Sequence, residues 1–181
     1  MIWPVPGSVV KSAYADHGAI REATKHTPIR HMHGGIDLSG GTGVVLAACA
    51  GLVVLSQLKT TYNPGVVIII SRSHYKGQAI WLYSLYGHLS PDTVQSVRPG
   101  QKVLPGQIIG RTATPAEIAK GAIFNKTNPD MGQHLHFELR NSLYGMLGFS
   151  KIKYYYDPYE FLINDTLVIG TRAGATYPWS G

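Results

Sequence analysis

Short β-branched and aromatic runs, punctuated by Gly and Pro, constrain this chain more than any other feature. Gly65–Ser71 reads GVVIIIS, a continuous apolar run of strand length, which predicts a strand buried on both faces. Ala79–His88, AIWLYSLYGH, predicts its antiparallel partner, with a polar turn over Ser73–Gln78. Upstream, VVLAACAGLVVLSQL predicts two strands meeting near Gly51, and Asn63-Pro64-Gly65 predicts a turn. VRPGQKVLPGQIIG carries two Pro-Gly turns in the rhythm of tight hairpins, and HLHFELR alternates strictly, as a strand does. With 21 Gly and 11 Pro in 181 residues, long helices are disfavoured. The fold class predicted is mainly β, with many turns and short strands.

The length predicts one domain, over residues 1–163, large enough to bury a core without staples. Residues 1–32 read as a mostly irregular N-terminal arm, with a helical turn expected in its polar middle, AIREATKHTPIR. Residues 111–131 break the strand rhythm and read as an insertion loop. Within it PAEIAKGAI predicts a short helix, with Thr114 as N-cap, Pro115 in the first turn and Glu117 three residues after Thr114. DPYEFL predicts a closing turn or helix after Pro158, and residues 164–181 a tail.

Charge narrows the partners. Charged residues are 14% of the chain, and the net charge is +6, which favours an anionic partner such as a wall polymer. No run of five Lys or Arg exists, so nucleic acid is not expected as a partner. The single cysteine, Cys49, excludes an intramolecular disulfide and a cysteine-based zinc site, and its apolar surroundings predict a buried packing role. MIWPVPGSVV lacks the charged and apolar regions of a signal peptide. No apolar run approaches the ~18 residues of a membrane span, so a soluble chain without a transmembrane segment is expected.

Chemistry concentrates in the histidines. In His134-Leu135-His136 the two imidazoles share one strand face, roughly 6.5–7 Å apart at Cα, while Leu135 and Phe137 face apolar packing. His33-Gly34-Gly35-Ile36-Asp37 places an imidazole and a carboxylate four residues apart, a spacing that predicts both on one face of a strand, with two glycines keeping the approach free of side chains. Nitrogen and oxygen donors of these types suit zinc. Four ligands (His33, Asp37, His134 and His136) would make a closed structural site. Three would leave one position open for water and make a catalytic site. Spacing alone does not choose between them. His31 forms a further His-x-His pair with His33, and His88 ends the aromatic strand.

These segments, in this order, resemble the lysostaphin/LytM family of zinc metallopeptidases that cleave peptidoglycan cross-bridges. The resemblance runs from about Trp3 to Leu162 and rests on HGGID, AACAGLVVL, YSLYGHLS, RPGQKVLPGQIIG, HLHFELR and DPYEFL. It implies a mainly β fold, a compact antiparallel β-sheet (barrel-sandwich-like) metallopeptidase domain with a groove over one Zn2+ ion, held by His33, Asp37 and His136. His134 and His88 are then the two non-ligand histidines, with His134 as general base and His88 as oxyanion donor, an order of roles that the resemblance leaves open. Glu138, on the same strand face, is a candidate for orienting one of them. Tyr86, with Tyr83 and Tyr144, is a candidate substrate contact.

The implied function is zinc-dependent endopeptidase action on bacterial peptidoglycan, in the cell wall, periplasm or extracellular space. No obligate protein partner is evident. With no signal peptide, a phage lytic or virion-associated enzyme, or a domain cut from a larger protein, is expected. The alternative is a non-catalytic regulator of other wall hydrolases, which would have lost ligands that are complete here. A carrier-like β module would need a displayed lysine, for which Lys102 is the sole candidate, and it leaves the histidines unexplained. The insertion over residues 111–131 departs from the short loop usual before the HLH motif, so cross-bridge preference does not transfer.

Overall fold

A computed structural model describes residues 1–12, 20–21, 31–58, 60, 62–121, 133–143 and 155–162. The long hairpin of β7 (Gly65–Tyr75) and β8 (Gln78–Leu89) is its spine. The expected turn over Ser73–Gln78 narrows to Lys76-Gly77, and the strands pair from Gly65↔Leu89 out to Tyr75↔Gln78. Both turn residues have positive φ, +49° and +79°, the geometry whose twist matches the flanking strands. Ser73 and Tyr75 therefore continue the ladder instead of leaving it.

On one side β8 pairs with β11 (His134–Arg140), β11 with β4 (Ile36–Gly40), and β4 with β1 (Ser8–Ser12). On the other, β7 pairs with β6 (Gly51–Leu58) and β6 with β9 (Lys102–Val103). β12 (Tyr155–Tyr156) adds to β11, completing an eight-stranded antiparallel sheet among the described residues. A two-stranded ribbon of β5 (Val44–Leu46) and β10 (Ile108–Arg111) stands apart from it. A second small ribbon joins β2 (Ile20–Arg21) to β3 (His31–Met32).

Two expectations change here. The N-terminal arm is not wholly irregular: residues 8–12 form β1, an edge strand in register with β4 from Ser8↔Gly40 to Ser12↔Asp37. The Pro-Gly segments do form turns, with Gly100 and Gly106 at φ +86° and +79°. Yet β9 and β10 do not pair with each other, because β9 joins β6 in the sheet and β10 joins β5 in the ribbon. Turn chemistry sets where the chain reverses, and long-range burial sets which strand it meets.

The main core fills the space between one sheet face and the ribbon. Ile36, Leu38, Val67, Ile69, Tyr86 and Phe137 come from the sheet, and Val45 and Ile109 from the ribbon. Val66, Ile68 and Leu85 form a smaller cluster on the opposite face. β7 is thus buried on both sides, as its unbroken apolar run requires. Cys49 is half-buried rather than fully packed away, with its Sγ 3.0 Å from Ser71 Oγ.

Among the described residues there are three short helices. The sequence reading missed α1 (Pro91–Ser96), although it begins with the Pro and first-turn Asp that favour a helix start. α2 (Pro115–Gly121) forms where its capping box predicts. Thr114 N–H donates to Glu117 Oε2 at 2.8 Å, and Glu117 N–H donates to Thr114 Oγ1 at 3.3 Å. α3 (Tyr159–Leu162) closes the described chain after Pro158. Residues 122–131 of the expected insertion and the 164–181 tail lie outside the described residues.

Glu117 also accepts from the Arg111 guanidinium at 2.8 and 3.0 Å and from the Ser90 hydroxyl at 2.9 Å, tying α2 to β10 and to the start of α1. The Arg111 pairing, against a small burial cost, holds its carboxyl down at about 2 from an ordinary 4.5. A carboxylate with a depressed value stabilises the fold fully above its unfolded value. This stabilisation is expected to fall away as pH drops from 4.5 towards about 2, and Glu117→Gln is expected to remove that pH dependence. Acid unfolding curves of the two proteins, followed by circular dichroism, check this.

Candidate metal centre

The centre is built by register. β4 and β11 pair so that Asp37 stands opposite His136 and Ser39 opposite His134. Their neighbours Ile36, Leu38, Leu135 and Phe137 face the core, which turns Asp37, His134 and His136 onto the other face. His33 is not part of a strand: it precedes β4 and folds back so that its ring reaches the same point. His33 Nε2, Asp37 Oδ1 and His136 Nδ1 lie 3.1, 3.1 and 2.8 Å from one another, and all three residues are buried. Among the described residues, this is the group of three side chains placed to hold a metal ion.

The donor set fits zinc on geometry as well as type. Three corners of a tetrahedron with bonds of 2.0–2.1 Å are about 3.3–3.4 Å apart, close to the separations seen. Tautomer supports the same conclusion. His136 Nε2 lies 2.8 Å from Glu138 Oε1, so a proton held on Nε2 lets Nδ1, on giving up its own, turn its lone pair to an ion. Burial works to raise the Asp37 carboxyl, but the adjoining His136 and His33 rings, which carry the protons here when no ion is bound, win and hold it well below its ordinary value. A donor that stays anionic is what a divalent cation needs.

Glu138 is anchored from three sides. Besides His136, it accepts from Arg140 Nε at 2.6 Å and from the Tyr62 hydroxyl at 2.7 Å. Burial alone raises its carboxyl; His136, Arg140 and Tyr62 together lower it. Arg140 is fully buried, so this is a desolvated ionic network and not a solvated surface pair. The Tyr62 ring stacks on His136, with centroids 5.3 Å apart, and lies over Gly87. A Cβ at Gly87 would press on that ring.

His88 reaches this face through a β-bulge. The β7–β8 register steps from Gly65↔Leu89 to Val66↔Gly87, leaving His88 unpaired at φ +58°. Simple alternation from Tyr86 would have turned His88 into the core. The extra residue re-aims it instead, and Leu89 takes the core position. Its ring centroid lies 4.7 Å from that of His134 and 6.1 Å from that of His136. The His88 Nδ1–H donates to the Asn63 carbonyl at 2.6 Å, which leaves the lone pair on Nε2. Burial first, then His134 and His136, pushes His88 down to about 3, so it is neutral.

Residues 31–146, more than half of the chain, match the family described as peptidase family M23. The chain belongs to peptidase family M23. No curated protein matches the sequence. Among solved structures, the antimicrobial peptidase lysostaphin from Staphylococcus simulans is similar in fold, with a TM-score of 0.56 and 18% identity over 97% of this chain and 58% of that one. A zinc-containing peptidase from Vibrio cholerae is similar too, with a TM-score of 0.52 and 21% identity over 86% of this chain and 37% of that one. The chain thus spans less than two thirds of either protein.

Within this M23 fold some sequence expectations change. Tyr86 is no substrate contact. It is fully buried on the core face, its hydroxyl accepting from Ala48 N–H at 2.8 Å and its ring 5.2 Å from Phe137. Tyr83 does lie on the centre's face, opposite Arg140, and is half-buried. Tyr144 lies outside the described residues. Gly34 and Gly35 serve strand packing rather than access: a Cβ on Gly34 would collide with the Tyr155 ring, and one on Gly35 with the Phe137 carbonyl and the Glu138 side chain. Tyr62 was missed altogether, because only the fold carries the β6–β7 connection over the centre. Among the described residues no helix is long and apolar enough to cross a membrane.

Two outcomes follow from the network. Glu138→Gln is expected to weaken zinc binding by roughly 10–100-fold in competitive chelator titrations, since it removes the charge that fixes His136. Gly35→Ala is expected to cost about 1–3 kcal/mol of stability, measured by denaturant unfolding of the metal-free protein.

Proposed function

We propose that this chain is a zinc-dependent endopeptidase that hydrolyses peptide cross-links of bacterial peptidoglycan. The observation that carries the reading is the convergence of His33 Nε2, Asp37 Oδ1 and His136 Nδ1 within 3.1 Å, beside two further histidines. A zinc ion held by three ligands would supply Lewis acidity to a water and to the scissile carbonyl. Membership in a peptidase family, and a fold shared with lysostaphin, support the reaction class. The positive net charge supports an anionic polymer as the substrate, met in the wall, the periplasm or the extracellular space.

The chain's own residues divide the proton work. Neutral His88, with its proton held on Nδ1 by Asn63, offers a lone pair at Nε2 and accepts the proton of the attacking water. His134, whose Nε2 stands 3.8 Å from Asp37 Oδ1, is then the hydrogen-bond donor to the developing oxyanion, and the proton taken up by His88 passes on to the leaving amine. This reverses the order in which the sequence resemblance suggested the two roles. Glu138 holds His136 in its metal-binding tautomer, and Arg140 with Tyr62 holds Glu138. A regulator that had given up catalysis would have no use for three converging donors, so the non-catalytic alternative is disfavoured.

Digestion of diaminopimelate-type peptidoglycan, with products read by mass spectrometry, tests the proposal; oligoglycine-bridged wall is the second substrate. The intact protein is expected to convert cross-linked dimers to monomers. His136→Ala is expected to lose both zinc and activity. His134→Ala and His88→Ala are each expected to keep about one zinc per chain and to lose turnover by roughly 10²–10⁴-fold. Undiminished turnover in either of the last two would remove that histidine from the mechanism. Stoichiometric loss of zinc from His134→Ala would overturn the three-ligand assignment.

A further inference from the structure

The face of the sheet that carries the metal centre continues well beyond it. Across β8 and β11, Gly87, Leu85 and Tyr83 stand opposite His136, Glu138 and Arg140. The ladder is regular from there outward, so the same alternation puts Trp81 on this face, while Leu82 is buried in the core and Ile80 packs against it. Trp81 is 52% exposed, unusual for the largest apolar side chain in the middle of a long strand. Opposite it on β7, the Arg72 guanidinium lies 4.6 Å over the indole ring. One ring face is thereby occupied and the ring is held in a fixed attitude, while more than half of its surface stays in water. Between Trp81 and the centre the floor is formed by half-buried Ile70 and Tyr83, with partly exposed Leu52 paired to Ile70.

We propose that Trp81, fixed by Arg72, is a glycan-binding platform that holds a sugar of the same peptidoglycan strand whose stem peptide lies at the metal centre. The proposal rests on the peptidoglycan reading given above. Its first support is chemical: a pyranose presents a flat face of C–H groups, and a fixed, solvent-exposed indole is a matching apolar plane. Arg72 places a permanent cation with several N–H donors beside that plane, suited to the carbonyl and hydroxyl oxygens of an acylated amino-sugar polymer.

Its second support is distance. Trp81 lies six residues along β8 from Gly87, the residue opposite His136, which is about 20 Å at the rise of a strand. A stem peptide of four residues in extended form reaches roughly 13–14 Å, and the lactyl link to its sugar adds a few more. A cross-link positioned for cleavage at the centre therefore brings the first sugar to the neighbourhood of Trp81.

The test compares the intact zinc-loaded protein with Trp81→Ala and Arg72→Gln on two substrates: cross-linked muropeptides that keep their sugars, and the same cross-linked peptides after an amidase has removed the glycan. Trp81→Ala is expected to lose about tenfold in kcat/KM on the glycan-bearing substrate, through KM, and to match the intact protein on the glycan-free peptides. Arg72→Gln is expected to show a smaller loss in the same direction. Equal activity of Trp81→Ala and intact protein on both substrates, or an equal loss on both, would overturn the platform.

A binding measurement separates this proposal from the peptidase reading. Peptide-free glycan strands, titrated calorimetrically, are expected to bind the intact protein and not Trp81→Ala. Binding by the intact protein that Trp81→Ala abolishes, with no hydrolysis of any substrate, would keep the platform and sink the peptidase reading. Hydrolysis without Trp81-dependent glycan binding would do the reverse.

Discussion

The antiparallel pairing of β4 with β11 is the constraint on which the rest of the site depends. It sets Asp37 opposite His136, two residues 99 positions apart in the chain, and brings their donor atoms to 2.8 Å. A slip of β11 by one residue would turn His136 into the core and bring Phe137 out into the site, leaving Asp37 without its partner. The apolar partners of the pairing forbid that slip. Ile36, Leu38, Leu135, Phe137 and Leu139 are all essentially inaccessible to solvent, and each is worth about 1.5–3 kcal/mol of burial. The hydrophobic core thus fixes the position of the metal ligands without touching them.

The polar face of β11 is itself buried, which is costly unless every charge is matched. Glu138 and Arg140 are desolvated together, and the Tyr62 hydroxyl bridges them, accepting from Arg140 at 3.0 Å and donating to Glu138 at 2.7 Å. Removing one partner would leave the others as uncompensated charges, so the network behaves as a unit. It ends on His136 Nε2 and decides which nitrogen of that ring is free. The connection between β6 and β7 serves a second histidine as well, since the Tyr62 carbonyl accepts from His88 N–H and the Asn63 carbonyl from His88 Nδ1. One short loop thereby orients both a metal ligand and a neighbouring histidine.

Much of this was legible in the sequence. The unbroken GVVIIIS run predicted a strand buried on both faces, and Val66 and Val67 do turn into different clusters. The capping residues Thr114 and Glu117 predicted α2, because that signal is local and needs no partner. The two histidine motifs predicted the donor types; alternation in a strand accounts for the shared face of His134 and His136 but not for His33, which precedes β4. A hairpin of β9 with β10 did not form, and β1 went unforeseen within the arm, because a strand's partner is chosen by long-range burial, which no local pattern encodes. Tyr86 and Tyr83 are three residues apart and read alike as aromatic strand residues, yet the sheet sends one to the core and the other to the site face.

The sequence by itself determined the elements and the chemistry available to them: β-strands between Gly and Pro turns, and imidazole and carboxylate donors at spacings that share a face. These are consequences of backbone sterics and side-chain type, which act within a few residues. Tertiary structure alone decided which donors meet, that a bulge turns His88 to the site and not the core, and that Tyr62 and Arg140 support Glu138. Those outcomes depend on the register of strands far apart in the chain, and register is set by burying both sides of a sheet at once.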